Sequence, residues 1–113
     1  MTPDEVLEQA ADDISLPGHW KKGGIGRYWE PDAPVCALGA IHRACGRDHL
    51  YAQGLIDTAV DAAGKAATER ADWSLCPSRR EAIMAYNDYV AQSPGEVADL
   101  LRTAAKNYRE EHS

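Results

Sequence analysis

The chain has 113 residues, 18 of them acidic and 12 basic, for a formal charge of -6, with 44% apolar and 27% charged side chains. A single domain of this size, residues 1–113, buries roughly two-thirds of the surface its unfolded chain exposes, so it needs no metal or disulfide staple. The negative balance argues against a nucleic-acid partner, whose phosphates are met by Lys and Arg, and against an acidic membrane surface; no apolar run approaches the roughly 18 residues of a membrane span.

The composition points to helices. Alanine supplies much of the apolar content and phenylalanine is absent. Alanine is the best helix former and a poor core filler, so helices should pack closely around a few large anchors: the leucines, Trp20, Trp29, Trp73 and the tyrosines. The start "MTPDEVLEQAADDIS" has no basic segment followed by an apolar run, and three cysteines without a secretion signal read as reduced thiols, so a cytoplasmic location is expected.

Helix grammar opens the chain. Thr2 caps, Pro3 suits the first turn and Glu5 completes a capping box, with Leu7, Ala10, Ala11 and Ile14 forming one apolar stripe. The helical period then vanishes through "LPGHWKKGGIGRYWEPDAP", which reads as an ordered Gly/Pro-rich loop or a short β-hairpin pairing His19–Lys21 with Arg27–Trp29 around 22–26. A second helix is expected from about Pro34 to Cys45, ended by Gly46. A third should run from Asp48 to about Ala63 and stop at Gly64, with Ala52, Leu55, Ile56, Ala59 and Ala63 inside and Gln53, Asp57 and Asp61 outside. Residues 65–77, which include Trp73 and Cys76, show no clear period and read as a loop or one short turn.

Ser78 and Glu81 form another capping box, so a fourth helix starts near Pro77 and carries Ile83, Met84 and Tyr86 inward. Asn87 and Asp88 are where it should end, because both favour turns. Ser93, Pro94 and Glu96 repeat the first cap, and Val97, Leu100, Leu101, Ala104, Ala105 and Tyr108 give the strongest one-face pattern in the chain. The fold expected is mostly α, a compact bundle of about five helices.

The stretch "PVCALGAIHRACG" poses the main chemical question. At about 100° per residue, Val35, Leu38, Ile41, His42 and Cys45 share a stripe, and Cys36 lies nearly opposite. That separation, with no close cysteine pair, argues against zinc, so no metal and no cofactor are expected. His42 reads as a histidine at the edge of the core. Cys36, in the first turn, is the one candidate nucleophile, with His19 or His49 as base and Asn87 or Asp88 as orienter. The competing reading makes it a small buried residue. "KKGGIGR" lacks Walker spacing and a following helix, so it reads as a turn. Asp57 and Asp61, one turn apart, read as a solvated face. Gly39, inside a helical pattern, marks a backbone neighbour: the closing helix or the Trp20 loop.

The order "GHWKKG", "PVCALGAIHRA", "AYNDY" and "PGEVADLLRTAAK" resembles a small uncharacterised family of actinobacteria and their bacteriophages, over residues 6 to 105. The resemblance implies a source and no reaction. The function expected is therefore a small non-enzymatic protein-interaction module, in a phage setting an accessory protein acting on a host protein, with Trp20, Lys22, Arg27 and Trp29 as its binding residues. The alternative is a cysteine-dependent hydrolase or transferase using Cys36. A third reading is a small-ligand site beside Trp20, Trp29 and the basic Gly-rich loop.

Overall fold

The computed structural model describes residues 1–46, 49–71 and 78–112, with the side chains of 49–52 left out. The described chain forms α1 (Pro3–Ile14), α2 (Ala37–Ala44), α3 (His49–Ala71), α4 (Arg79–Ala85), a π-helical turn over Tyr86–Val90, and α5 (Pro94–Glu111). The expected mostly helical bundle is what folds. No helix among the described residues is long and apolar enough to cross a membrane.

The starts of α1, α4 and α5 follow their local chemistry. The Glu5 carboxylate accepts from the Thr2 amide at 2.9 Å and from its hydroxyl at 2.8 Å. The hydroxyls of Ser78 and Ser93 accept from the amides of Glu81 (3.2 Å) and Glu96 (3.3 Å), in both cases satisfying a donor that the first turn leaves free. α1 lies along α5 as the expected stripes require. Val6, Leu7, Ala10, Ala11 and Ile14 of one face Val97, Leu100, Leu101, Ala104 and Ala105 of the other, and all are fully buried. At the seam's rim Arg109 reaches Asp4 (2.8 Å) and Glu8 (3.3 Å), while Arg102 reaches Asp12 (3.1 Å). These exposed pairs set register more than they add stability, since water and salt screen them.

The anchors differ from expectation. Leucine, isoleucine and valine fill the core, Trp29 is 56% exposed and Trp20 only half-buried. Both tryptophans belong to the segment between α1 and α2, while Leu7, Leu38, Leu100, Leu101 and Tyr86 are buried. Trp73 and Cys76 lie outside the described residues.

Three boundaries also move. α2 begins at Ala37, and Cys36 is its N-cap in extended geometry, not a first-turn residue. Val35 is extended too, because the preceding loop holds it on both sides: it bridges in parallel to Trp20 and antiparallel to Gly26. The Val35 amide donates to the His19 carbonyl (2.8 Å) and the Lys21 amide to the Val35 carbonyl (3.0 Å). The loop thus pairs with Val35, where a hairpin would pair its own two arms. Gly46 does end α2 with a positive φ of 83°.

Gly64 does not end α3, which continues through 65–71 to Ala71. Glycine stops a helix when it turns left-handed; Gly64 stays helical and instead leaves room for the start of α4. A Cβ there would lie 2.7 Å from both the Cα and the carbonyl oxygen of Arg79. Of the residues expected inside on α3, Ile56, Ala59 and Ala63 are buried, Leu55 is half-buried and the Ala52 side chain lies outside those described, while Gln53, Asp57 and Asp61 are exposed. Finally, α4 does not stop at Asn87: the chain widens into a π turn closed by the Ala91 amide on the Tyr86 carbonyl at 2.9 Å.

Gly39 and Gly54 give opposite expectations from one substitution. A Cβ at Gly39 would press into the carbonyl oxygen of Ile25 in the loop and the Val35 side chain, whereas one at Gly54 meets nothing within 4 Å. Gly39→Ala and Gly64→Ala should each lose about 1–3 kcal/mol despite better helix propensity. Gly54→Ala should gain about 0.5–1 kcal/mol, because only propensity acts. Urea denaturation of the three variants checks the signs.

Candidate functional site

The segment between α1 and α2 is irregular but fixed, and the side chains that fix it come from three other parts of the fold. Asn87 is the most central. It is fully buried, and the π turn aims it beneath the loop. Its Oδ1 accepts from the Trp20 indole at 2.8 Å and the Ala37 amide at 3.0 Å. Its Nδ2 donates to the Lys21 carbonyl and to Asp88 Oδ1, each at 3.0 Å. Two donors face the oxygen and two acceptors face the nitrogen, so the amide has one workable orientation and every hydrogen-bonding position is used. Because Ala37 is the first residue of α2, Asn87 also caps that helix from a distance.

Asp88 continues the clamp. Its Oδ1 accepts from the Gly23 amide at 3.0 Å, so a carboxylate of the protein itself occupies the glycine turn. The turn in "KKGGIGR" is thus a fastening for Asp88.

Arg43 fixes the far half. Its Nη1 meets Asp13 at 3.0 Å, its Nε donates to the Tyr28 carbonyl at 3.2 Å and its Nη2 to the Ala33 carbonyl at 2.6 Å. The other Asp13 oxygen lies 2.7 Å from His19 Nδ1. An Arg fork suits this task, since one planar group bonds one carboxylate and two carbonyls at fixed angles. His42, the residue before Arg43, packs its ring against Tyr28 with centroids 5.0 Å apart.

The proposed nucleophile is buried beneath the same loop. Cys36 is 1% exposed. Burial pushes its thiol above the ordinary cysteine range, against a smaller downward pull from the amides of Gly39 and Leu38, and the Asp88 charge acts in the same upward direction as burial. His19 is engaged by Asp13, and Asn87 by its four partners. The side chain of His49 lies outside the described residues. Among the described residues no hydrogen bond joins Cys36 to His19, Asn87 or Asp88, and the Asp88 carboxylate acts on it as a charge. The half-buried Cys45 is likewise raised by burial.

Of the expected binding residues, Lys22, Arg27 and Trp29 are exposed, whereas Trp20 is half-buried and donates its indole N–H to Asn87. Lys22 sits over the Trp20 ring, 5.7 Å from its centroid, within cation–π range. Arg27 is opposite Glu30 at 3.7 Å, and Trp29 meets Tyr28 edge-on with centroids 5.4 Å apart. An open cleft of about 580 Å³ runs between the loop's arms, lined by Lys21, Arg27, Glu30, Pro31, Asp32 and Pro34 among others. Arg43 and Asp13 were not among the residues the sequence singled out. Arg43 had a signal, standing beside His42 at the end of an otherwise apolar helix after a long loop. Asp57 and Asp61 do not pair with each other: Asp57 accepts from Gln53 at 2.8 Å and Asp61 is 3.3 Å from Arg79. No group of three metal-ligating side chains occurs among the described residues.

A family model described as a family of unknown function, DUF6197, matches residues 1–107, and the chain belongs to that family. No curated protein and no solved structure matches the chain.

Two measurements probe this site. Asn87→Ala should cost about 2–4 kcal/mol in denaturant titration, since it strands the Trp20 indole, the Ala37 amide and the Lys21 carbonyl. Asn87→Asp should cost a similar amount, because a carboxylate cannot donate to Lys21 or Asp88. Cys36 should react with a thiol reagent only as the protein unfolds, and more slowly than Cys45. Fast native-state labelling of Cys36, followed by peptide mapping, would revive the nucleophile reading.

Proposed function

We propose, with that family membership as the premise, that the chain is a non-catalytic interaction module whose binding face is the pinned loop between α1 and α2. One observation carries this reading: a long irregular segment is immobilised from three sides, and still turns Trp29 to solvent at 56% exposure. Long loops without regular structure inside a compact domain commonly serve binding. Holding one rigid lowers the entropy lost when a partner docks. Trp is also the residue type most enriched among those that dominate interface energy.

The buried, raised thiol of Cys36 favours this reading over a cysteine-dependent hydrolase. In the actinobacterial or phage setting to which the sequence resemblance points, the partner would be a host protein and the chain an accessory factor acting in the cytoplasm.

Placing a photo-crosslinking amino acid at position 29 and, separately, at Lys106 on α5 tests the proposal in lysate of the source cells. A discrete protein adduct from position 29 and none from 106 is expected. Trp29→Ala should abolish capture of the same protein while shifting stability by less than about 0.5 kcal/mol, as for other exposed sites. No adduct, or equal adducts from both positions, overturns the binding-face assignment.

A further inference from the structure

One titratable side chain of the loop stands between two carboxylates from different parts of the fold. His19 turns Nδ1 to Asp13 Oδ1 of α1 at 2.7 Å and Nε2 to Asp32 Oδ1 of the loop's far arm at 3.9 Å. Asp13 is itself held by Arg43 of α2 at 3.0 Å, and Lys21, Arg27 and Glu30 line the cleft together with Asp32. The two contacts of the ring differ in kind. A carboxylate in an ion pair only accepts, so the short contact places a proton on Nδ1, and the neutral ring then presents a lone pair at Nε2. Toward Asp32 that is acceptor against acceptor, and 3.9 Å is too long for a hydrogen bond. The gap is the one an unprotonated ring requires. The partners also differ in freedom: the side chains of His19 and Asp13 are 13% and 16% exposed, whereas that of Asp32 is 98% exposed.

We infer that His19 is a proton-operated strap across this cleft, open while the ring is neutral and closed onto Asp32 when the ring gains a proton from solvent. The added N–H at Nε2 makes the ring a donor on both sides. The exposed Asp32 carboxylate then swings in by about 1 Å, to the charge-assisted distance of about 2.7–2.9 Å. Because Arg43 already balances Asp13, the charge gained by the ring is answered by Asp32. Lys21, on the same cleft, opposes it, while Arg27 is faced by Glu30. The backbone at both ends of the strap is fixed beforehand, the His19 carbonyl by the Val35 amide at 2.8 Å and the Ala33 carbonyl by Arg43 at 2.6 Å. A bond between two anchored points stiffens residues 30–32, which directly follow Trp29, so the ring's proton is coupled to how that indole is presented. This geometry is internal to the loop and stands apart from the binding-face reading.

Heteronuclear NMR of the isotope-labelled full-length protein, titrated downward from neutral pH while the fold holds, tests the strap. The His19 ring should show the Nδ1–H tautomer before protonation and an N–H at both nitrogens after it. The amides of Asp32 and Ala33 and the Trp29 indole N–H should shift with the midpoint of the His19 ring, and the nuclear Overhauser effect between that ring and the Asp32 β-protons should rise severalfold. In Asp32→Ala, which removes only an exposed side chain, the ring should still titrate while the Ala33 and Trp29 shifts are lost. His19→Gln, whose amide can still donate to Asp13, should lose them as well. An Nε2–H tautomer at neutral pH, or a ring that titrates without moving Ala33, overturns the inference. So does a shift that follows the Asp32 carboxylate carbon and not the ring, or one that survives in Asp32→Ala. A ring that stays unprotonated until the protein unfolds overturns it too. Cross-linking from position 29 is read at a single pH and reports on the binding face alone, so the two readings fail separately.

Discussion

A side-chain amide offers two donors and an oxygen with two lone pairs, and removing it from water is costly unless all are used. Asn87 meets that condition by joining the Trp20 indole, the Lys21 carbonyl, the first amide of α2 and the Asp88 carboxylate. The partners belong to three parts of the fold, so the amide fixes the loop, the start of α2 and the π turn relative to one another. The arrangement is cooperative: the loop satisfies the buried Asn87, and Asn87 gives the loop its only side-chain anchor at Trp20 and Lys21 among the described contacts. A π turn is well suited to this, since it repositions one helical face without ending the helix.

The second constraint is close approach. Gly39 lets the Ile25 carbonyl lie on the surface of α2, and Gly64 lets the start of α4 lie on α3. Trp20 and Trp29 both belong to the loop, where one rests half-buried on Asn87 and the other faces solvent.

Electrostatics divides the molecule in a related way. Along the helices, arginines meet the excess of acids and tie α1 to α5 and α3 to its neighbours. At the loop, Arg43 and Asp13 are turned inward to hold backbone carbonyls, while the lysines point away. The thiol that might have supplied reactivity is covered by the same loop that carries those groups.

Much of this was legible before folding, and the division follows the range of the interactions. Capping boxes at Thr2 and Ser93, the buried stripes of α1 and α5, the left-handed Gly46 and the close neighbour at Gly39 all depend on residues within a few positions of one another, or on a steric demand that any fold must meet. The expected ends at Gly64 and Asn87 failed for one reason. Both residues have local preferences that break helices, and each was held in helix by a contact far away in sequence, Arg79 for one and Trp20, Lys21 and Ala37 for the other. Asn87 did carry a clue, standing four residues after the buried Ile83 on the same helical face. The sequence by itself therefore determined the starts of α1, α4 and α5 and the inward faces of α1 and α5. Only the tertiary structure decided that Cys36 is enclosed, that Asp88 fills the glycine turn and that Lys21 and Trp29 remain outward, because those outcomes depend on hydrogen bonds between residues dozens of positions apart, which no local pattern encodes.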